Sequence, residues 1–397
     1  EAFVEVDGDI QEELIRAFSG REISEVMDKL FMDDAVDMIE EMPSNVVRRI
    51  LKYTDPEMRQ TINELLQYPS DSAGSLMTTE FVDLKEDMTV KQAFNKIRKT
   101  GLDKETIYTC YVVDNNRKLQ GVVTVKDMLL NTQDKTIGEI MDSNVICVET
   151  LEDKEVVAQT FSKYSLLALP VVDKEKRLIG IVTFDDAMDV MEEESTEDIE
   201  KMAAILPTDK PYLKTGIVET WKKRIPWLMF LMISATFTGM IISGFQDKLA
   251  SSVILTAFIP MLMDTGGNSG SQASVTVIRG LSLGEIEWED TFAVLWKEIR
   301  VSVLCGLALA LVNFLKMMLI DNMLLHNAAV TPWVAATVCI TMVATVLFAK
   351  IIGCSLPIFA KKIGLDPAVM ASPFITTLVD ALSLLIYFNV AKLLLHL

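Results

Sequence analysis

Ile225 to Phe245 contains no charged residue, and a helix needs only about 20 apolar residues to cross the hydrocarbon core of a bilayer. Thr331 to Ala349 is a second such stretch. Pro367 to Ala391 is a third, interrupted only by Asp380. Leu249 to Ile278 is apolar apart from Asp264, and Phe292 to Leu315 runs on past Lys297 and Arg300. Backbone polar groups in lipid must be satisfied within the segment, so these stretches predict helices. Five spans within residues 222–397 are expected, and with them a membrane partner.

The charge is divided as sharply as the hydropathy. The 397-residue chain has a formal net charge of -19, yet residues 221–397 carry 10 acidic and 12 basic side chains, so residues 1–220 hold a net of -21. An acidic half is therefore joined to a nearly neutral apolar half, and the acidic balance argues against nucleic acid as a partner. Cys110, Cys147, Cys305, Cys339 and Cys354 form no C-x-x-C pair, so a reducing compartment is the default. His326 and His396 are too few for a zinc site. No nucleophile–base pair and no phosphate-cradling glycine loop is visible, so no enzymatic activity is expected. The start at Glu1, without a methionine or a signal-like segment, reads as a trimmed N-terminus.

Basic residues orient the spans. Lys222, Lys223 and Arg224 precede the first; Arg279, Lys297 and Arg300 lie between the second and third; Lys361 and Lys362 precede the fifth. With five spans all three clusters fall on one side, which the positive-inside bias makes cytoplasmic, leaving the C-terminus external. The opposite loops carry little beyond Asp247, Lys248 and Asp321.

Two features of the spans carry chemistry. The second reads PMLMDTGGNSGSQAS from Pro260 to Ser274. Small residues there permit close helix packing, while Gly266, Gly267 and Asn268, with Ser269, Ser271 and Gln272, also suit the wall of a water-filled path. Asp264 either lines the outer part of that path or caps a helix break. Asp380, if ionised at a helix centre, costs about 2.5–3.5 kcal/mol on insertion scales, so it is neutral and packed or it is functional. Thr376, Thr377 and Asn389 add oxygens to the same span, and acid with oxygen neighbours suits a hard cation such as Mg²⁺.

The acidic half contains a repeat. Tyr111–Thr124 (YVVDNNRKLQGVVT) recurs as Pro170–Thr183 (PVVDKEKRLIGIVT), and Ala73–Thr78 echoes Ile137–Asp142. Each copy, about 70–132 and 135–195, predicts two strands around a turn, then a helix opened by Thr-x-x-Asp: Thr124/Asp127 and Thr183/Asp186. The repeat resembles a tandem CBS pair. In that family the Thr and Asp at these positions often hold an adenine nucleotide, which points to Thr124, Lys126 and Asp127 and to ATP; helix N-capping is the alternative reading. Before the repeat, residues 1–69 have helical periodicity broken at Gly20, Pro43 and Pro56, predicting several short helices that bear Asp33, Asp34, Asp37, Glu40 and Glu41. After it, Asp185, Asp186, Asp189, Glu192, Glu193, Glu194, Glu197, Asp198 and Glu200 crowd one helical segment. Like charges at i, i+3 and i+4 repel, which bound cations or salt would relieve. Residues 196–221 read as a connecting helix.

The whole order resembles the MgtE family of magnesium channels: a helical N domain, a CBS pair, a connecting (plug) helix and five spans. The motifs that carry the likeness are PMLMDTGGNSGSQASVTVIRG (260–280), DPAVMASPFITTLVDALSLLIYF (366–388), YPSDSAGSLMT (68–78) and EEESTEDI (192–199). The expected fold class is a multidomain membrane protein with an all-α N-terminal domain, an α/β tandem CBS pair and an α-helical transmembrane domain of five spans. The resemblance implies a homodimer in the bacterial inner membrane, with Asp380 facing its copy and binding a largely hydrated Mg²⁺ during uptake. It also implies closure by cytosolic Mg²⁺ bound at Asp153, Glu155, Asp186, Asp189, Glu194, Glu197, Asp198 and Asp366, with Asp33 and Asp37 matching in the N domain. Ser165 stands where an acid is expected, and the N domain is shorter than usual. A secondary transporter for Mg²⁺, Co²⁺ or Mn²⁺, and a membrane-anchored adenine-nucleotide sensor, are the competing readings.

Overall fold

The computed structural model describes residues 3, 6, 8–208, 212–246, 252–370 and 372–395; Asp247, Lys248 and His396 lie outside them. The chain divides into two compact units, Glu1–Glu194 and Ser195–Leu397.

The first unit opens with five short helices, α1 (Gly8–Ala17), α2 (Gly20–Met27), α3 (Met32–Glu41), α4 (Ser44–Tyr53) and α5 (Pro56–Leu65). The residues that interrupt the periodicity mark the helix starts. Ser19 caps α2 in a reciprocal box with Glu22, Pro43 stands at the N-cap of α4, and Pro56 occupies the first turn of α5 behind the Asp55 cap. Proline is tolerated there because its missing N–H has no helical partner to lose.

The repeat folds as two three-stranded sheets. The first copy supplies β1 (Val82–Leu84), α6 (Val90–Thr100), β2 (Thr109–Val113), β3 (Leu119–Thr124) and α7 (Val125–Leu130). The second supplies α8 (Ile137–Ile140), β4 (Val148–Glu149), α9 (Lys154–Tyr164), β5 (Ala168–Val172) and β6 (Leu178–Thr183). In each sheet the first strand runs parallel to the second and the second antiparallel to the third. Thr109 pairs with Thr124 and Ala168 with Thr183, and each hairpin shifts register between its last two valines, Val112/Val113 and Val171/Val172. Phe81, Tyr111, Val113, Ala168, Leu178 and Ile181 are buried together between the sheets. The N-terminal helices share a core with the second copy: Ile23, Met27, Val36 and Ile50 are buried in one cluster with Val157, Phe161 and Leu169.

A helix α10 (Phe184–Met202) leaves the second repeat. The connector is thus not one continuous helix: it is helical to Met202 and again from Ile217, and between them the described residues lie outside any helix. The break follows from the sequence: Pro207 cannot donate to a helix, and Ala204 has a positive φ of 55°.

The second unit holds α11 (Ile217–Gly244), α12 (Ile259–Ser282), α13 (Thr291–Lys316), α14 (Pro332–Lys362) and α15 (Ser372–Leu395). Among the described residues, four helical segments are long and apolar enough to cross a membrane: Ile217–Gly244, Trp288–Leu324, Pro332–Lys362 and Pro367–Leu395. The helix of the polar second span, α12, is as long as a span but less apolar. It runs unbroken through Gly266, Gly267 and Gly270, so Asp264 lies within a continuous helix and caps no break. The glycines serve contact: a Cβ on Gly353 of α14 would lie 2.2 Å from the Gly270 carbonyl oxygen, so only hydrogen fits that crossing. Glu298 of α13 and Lys350 of α14, both nearly buried, pair at 3.4 Å. Tyr387 of α15 donates to the Leu255 carbonyl at 3.0 Å.

Candidate ion path and acidic sites

In the membrane unit α12 and α15 pack side by side with their polar residues adjacent. Asp264, Asn268 and Gln272 recur every fourth residue along α12, which puts them on one face, and all three are exposed. Asp380 is half-buried on α15 and near enough to Asp264 for their charges to interact. One turn earlier, Thr376 and Thr377 donate their hydroxyls to the Pro373 carbonyl at 2.9 and 3.0 Å, leaving their oxygens free to accept. Gly266 and Gly267 are buried in the seam instead: a Cβ on Gly266 would meet Thr345, Val379 and Ser383, and one on Gly267 would meet Thr376. Close packing accounts for these two glycines, and Asn268 faces outward.

In the first unit Asp33 and Asp37 of α3 gather with Asp186 at the start of α10. Asp33 is 7% exposed. Burial, then the charge of Asp186, holds its carboxyl well above the ordinary range. Asp37 keeps an outer edge in solvent, yet the protein packed around it and then Asp186 push it up to about 7. Burial raises Asp186 to about 6, against a hydrogen bond from the Thr183 hydroxyl. Glu105 joins them, raised to about 7 by burial and by Asp186 and Asp34. Glu80 ties α3 to the repeat, accepting from the Met32 N–H at 3.3 Å. Glu105 and Glu80 were not among the sequence candidates. The signal for Glu105 was present: its counterpart 59 residues on is Tyr164. No basic side chain offsets Asp33, Asp37 or Glu105 among the groups that shift them.

The other acids are arranged differently. Asp153 caps α9 through the Glu155 N–H at 2.8 Å, and Glu155 accepts from Gln159 at 3.1 Å. Lys154, between them in sequence, reaches Glu193 at 3.3 Å and Asp71 and Glu194 at 3.7 Å. Asp189 is exposed on α10. Ser165 ends α9 in the left-handed conformation, at φ 53°. In the second unit Lys201 bridges Glu197 at 2.5 Å and Asp366 at 2.6 Å. Burial alone would depress the Lys201 ammonium, and these two partners overcome it and raise it. Burial raises Asp198, whose carboxylate accepts from Ser282 at 2.9 Å. Thr124 and Asp127 form a reciprocal capping box on α7, with the hydroxyl 2.5 Å from the carboxylate. Among the described residues no three Asp, Glu, His or Cys side chains stand close enough to cage a metal ion.

A repeat-built acidic unit preceding apolar helices, one of which carries an acid beside a polar stripe, fits a membrane transporter with a soluble part. The family comparisons give the same class. The MgtE divalent cation transporter profile matches residues 259–390, the MgtE intracellular N domain residues 1–71, and the CBS domain residues 73–132 and 137–193. The magnesium transporter MgtE of Thermus thermophilus is 36% identical over 91% of this chain and 79% of its own length. That of Bacillus subtilis is 33% identical over 93% of this chain and 80% of its own. The cytosolic domain of the Mg²⁺ channel MgtE, solved in complex with ATP, is 35% identical with a TM-score of 0.46, covering 47% of this chain and 77% of that one. The chain belongs to the MgtE family.

Proposed function

We propose that this chain is a Mg²⁺-selective channel for Mg²⁺ uptake that works as a homodimer and is closed by Mg²⁺ on its acidic sites. The observation that carries the reading is Asp380 beside the Asp264–Asn268 face of α12 in the membrane unit. A carboxylate on an open polar face receives hydrogen bonds from the water shell of Mg²⁺, an ion that sheds its waters reluctantly. With two chains face to face, two Asp380 carboxylates hold one hydrated ion by outer-shell contacts. The basic clusters support an orientation with the soluble repeats in the cytoplasm and the C-terminus outside.

For closure, the support is the uncompensated acid at Asp33, Asp37 and Asp186, with Glu105. Ions that bind only the compact arrangement shift the population toward it by their differential affinity. Asp153, Glu155, Asp189 and Glu194 are assigned to the same response, as are Glu197, Asp198 and Asp366. Thr124, Lys126 and Asp127 are assigned to ATP; the capping pair engages one Asp127 carboxylate oxygen, and the other can accept from the ligand.

The test is Mg²⁺ uptake by liposomes containing the full chain, with Mg²⁺ varied on the side of the soluble unit. Uptake driven by the Mg²⁺ gradient alone, and suppressed as sensor-side Mg²⁺ rises, supports the reading. Uptake that needs a second ion or proton gradient would make the protein a coupled transporter. ATP binding with no ion flux would make it a nucleotide receptor.

Lys201 tests the sensor separately. Its ammonium occupies the position between Glu197 and Asp366 that a bound cation would take. In Lys201→Met the sensor-side Mg²⁺ needed for half-closure is expected to fall roughly two- to fivefold, the size of one modest ion pair. An unchanged or higher requirement would show that Lys201 does not compete with Mg²⁺.

A further inference from the structure

The internal repeat puts two like charges in the first copy where the second has an ion pair. Leu84 pairs with Val112 and Val148 with Val171, so the next residues, Lys85 and Glu149, are structural equivalents. Arg117 and Lys176 correspond in the same way, each in the left-handed position of its hairpin turn, at φ 64° and 63°. In the second copy the Glu149 carboxylate neutralises Lys176 at 3.4 Å. In the first copy the carboxylate is replaced by Lys85.

Lys85 and Arg117 line a cavity of 260 Å³ together with Lys104, beside the apolar side chains of Phe81, Val113 and Leu178. Asp83 also reaches it, but its carboxylate is engaged by Lys96 at 2.8 Å. Lys85 donates to the Asp114 carbonyl at 2.5 Å, which fixes its ammonium without neutralising it. Among the described residues neither Lys104 nor Arg117 is in an ion pair. Composition does not explain three cations around one cavity in a half-chain of net -21. The cavity is also not the helix start at Thr124. Val113 ends β2 opposite Leu119, whereas Thr124 pairs with Thr109 at the other end.

We propose that this cavity binds a small phosphorylated molecule, its phosphate oxygens held by Lys85, Lys104 and Arg117 and a small apolar part against Phe81 and Leu178. Charge-assisted hydrogen bonds from several cations to one phosphate are among the stronger polar contacts available. Cavity size limits the ligand to about a pyrophosphate or a small phosphate ester, below the usual range for drug-sized ligands. The site is independent of which ion the membrane unit carries.

The experiment is calorimetric titration of the full chain in detergent and EDTA with inorganic pyrophosphate, and separately with phosphate and with ATP. Pyrophosphate is expected to bind once per chain. Lys85→Glu, which recreates the pairing of the second copy, should weaken it at least tenfold without lowering the melting temperature. Arg117→Gly, at a backbone conformation glycine adopts freely, should weaken it similarly and serves if Lys85→Glu does not fold. No binding of any of the three probes overturns the proposal, as does pyrophosphate affinity unchanged in both variants. Binding abolished by Asp127→Ala but untouched in Lys85→Glu would assign it to the Thr124–Asp127 helix start and overturn it equally.

Discussion

Asp380→Ala is expected to reduce the initial rate of Mg²⁺ uptake into liposomes at least about 100-fold. A hydrogen bond to a charged group contributes about 1.5–3 kcal/mol, and each 1.4 kcal/mol is tenfold. A carboxylate that holds two waters of a hydrated ion, in each of two chains, therefore supplies more than the two decades required. Asp380→Asn keeps the acceptor oxygen without the charge and should fall between wild type and alanine. The variants should fold. Asp380 is half-buried and makes no ion pair among the described residues, whereas the contacts that hold α15 come from Thr376, Ser383 and Tyr387. Uptake as fast as wild type from folded Asp380→Ala protein would remove Asp380 from the ion path. Asp264→Ala separates the two acids: a comparable loss would make the pair the binding element, and a small one would leave Asp380 as the principal ligand.

The second large effect concerns pH. In metal-free protein the contact of α3 with the start of α10 is expected to loosen as pH rises from 5 to 8, and Mg²⁺ is expected to restore it at pH 8. Asp37 and Glu105 are raised to about 7 and Asp186 to about 6 in the folded unit, against about 4 for an unfolded carboxylate. Between these values the native state binds more protons than the unfolded state, so stability falls with rising pH. The stabilisation is complete below about 4 and is lost as pH passes through about 6 to 7. Asp37 is open to solvent on one side and the groups share their repulsion, so the combined loss is put at about 1 kcal/mol or more. For a unit of this size that is roughly 2–4 °C in apparent melting temperature. Hydrogen exchange over residues 32–41 and 184–190 reads the contact directly. The double variant Asp33→Asn, Asp37→Asn should flatten both the pH slope and the Mg²⁺ response. A pH slope of opposite sign, or Mg²⁺ protection that persists in the double variant, would show that these acids do not form the sensor.

The repeat shows how much of this was legible beforehand. A shift of 59 residues in the sequence reappears as the same shift in strand register and in the position of the β-irregularity, because pairing follows apolar alternation and turn position, both local. Gly20, Pro43 and Pro56 gave the helix starts for the same reason. The connector differs from the single helix expected over 196–221: its acidic run is a helix, but that helix stops at Met202 ahead of Pro207 and a second begins at Ile217. For Gly266 and Gly267 the sequence left path and packing open, and the answer depended on side chains 79 to 117 residues further along the chain, from Thr345 to Ser383.

What the sequence determined by itself was local: that the C-terminal half is built of apolar helices, where helices begin, that one soluble motif occurs twice, and that Asp380 is an acid in an apolar span. Each depends on neighbours within a few turns. What only the tertiary structure decided was which charges meet. Glu105 joins Asp33 and Asp186, Lys201 sits between Glu197 and Asp366, and Glu298 finds Lys350. Lys85 stands beside a cavity with Arg117 where its repeat partner forms an ion pair. A charge's effect is set by its distance from other charges and from water, and those distances exist only once remote segments have packed together.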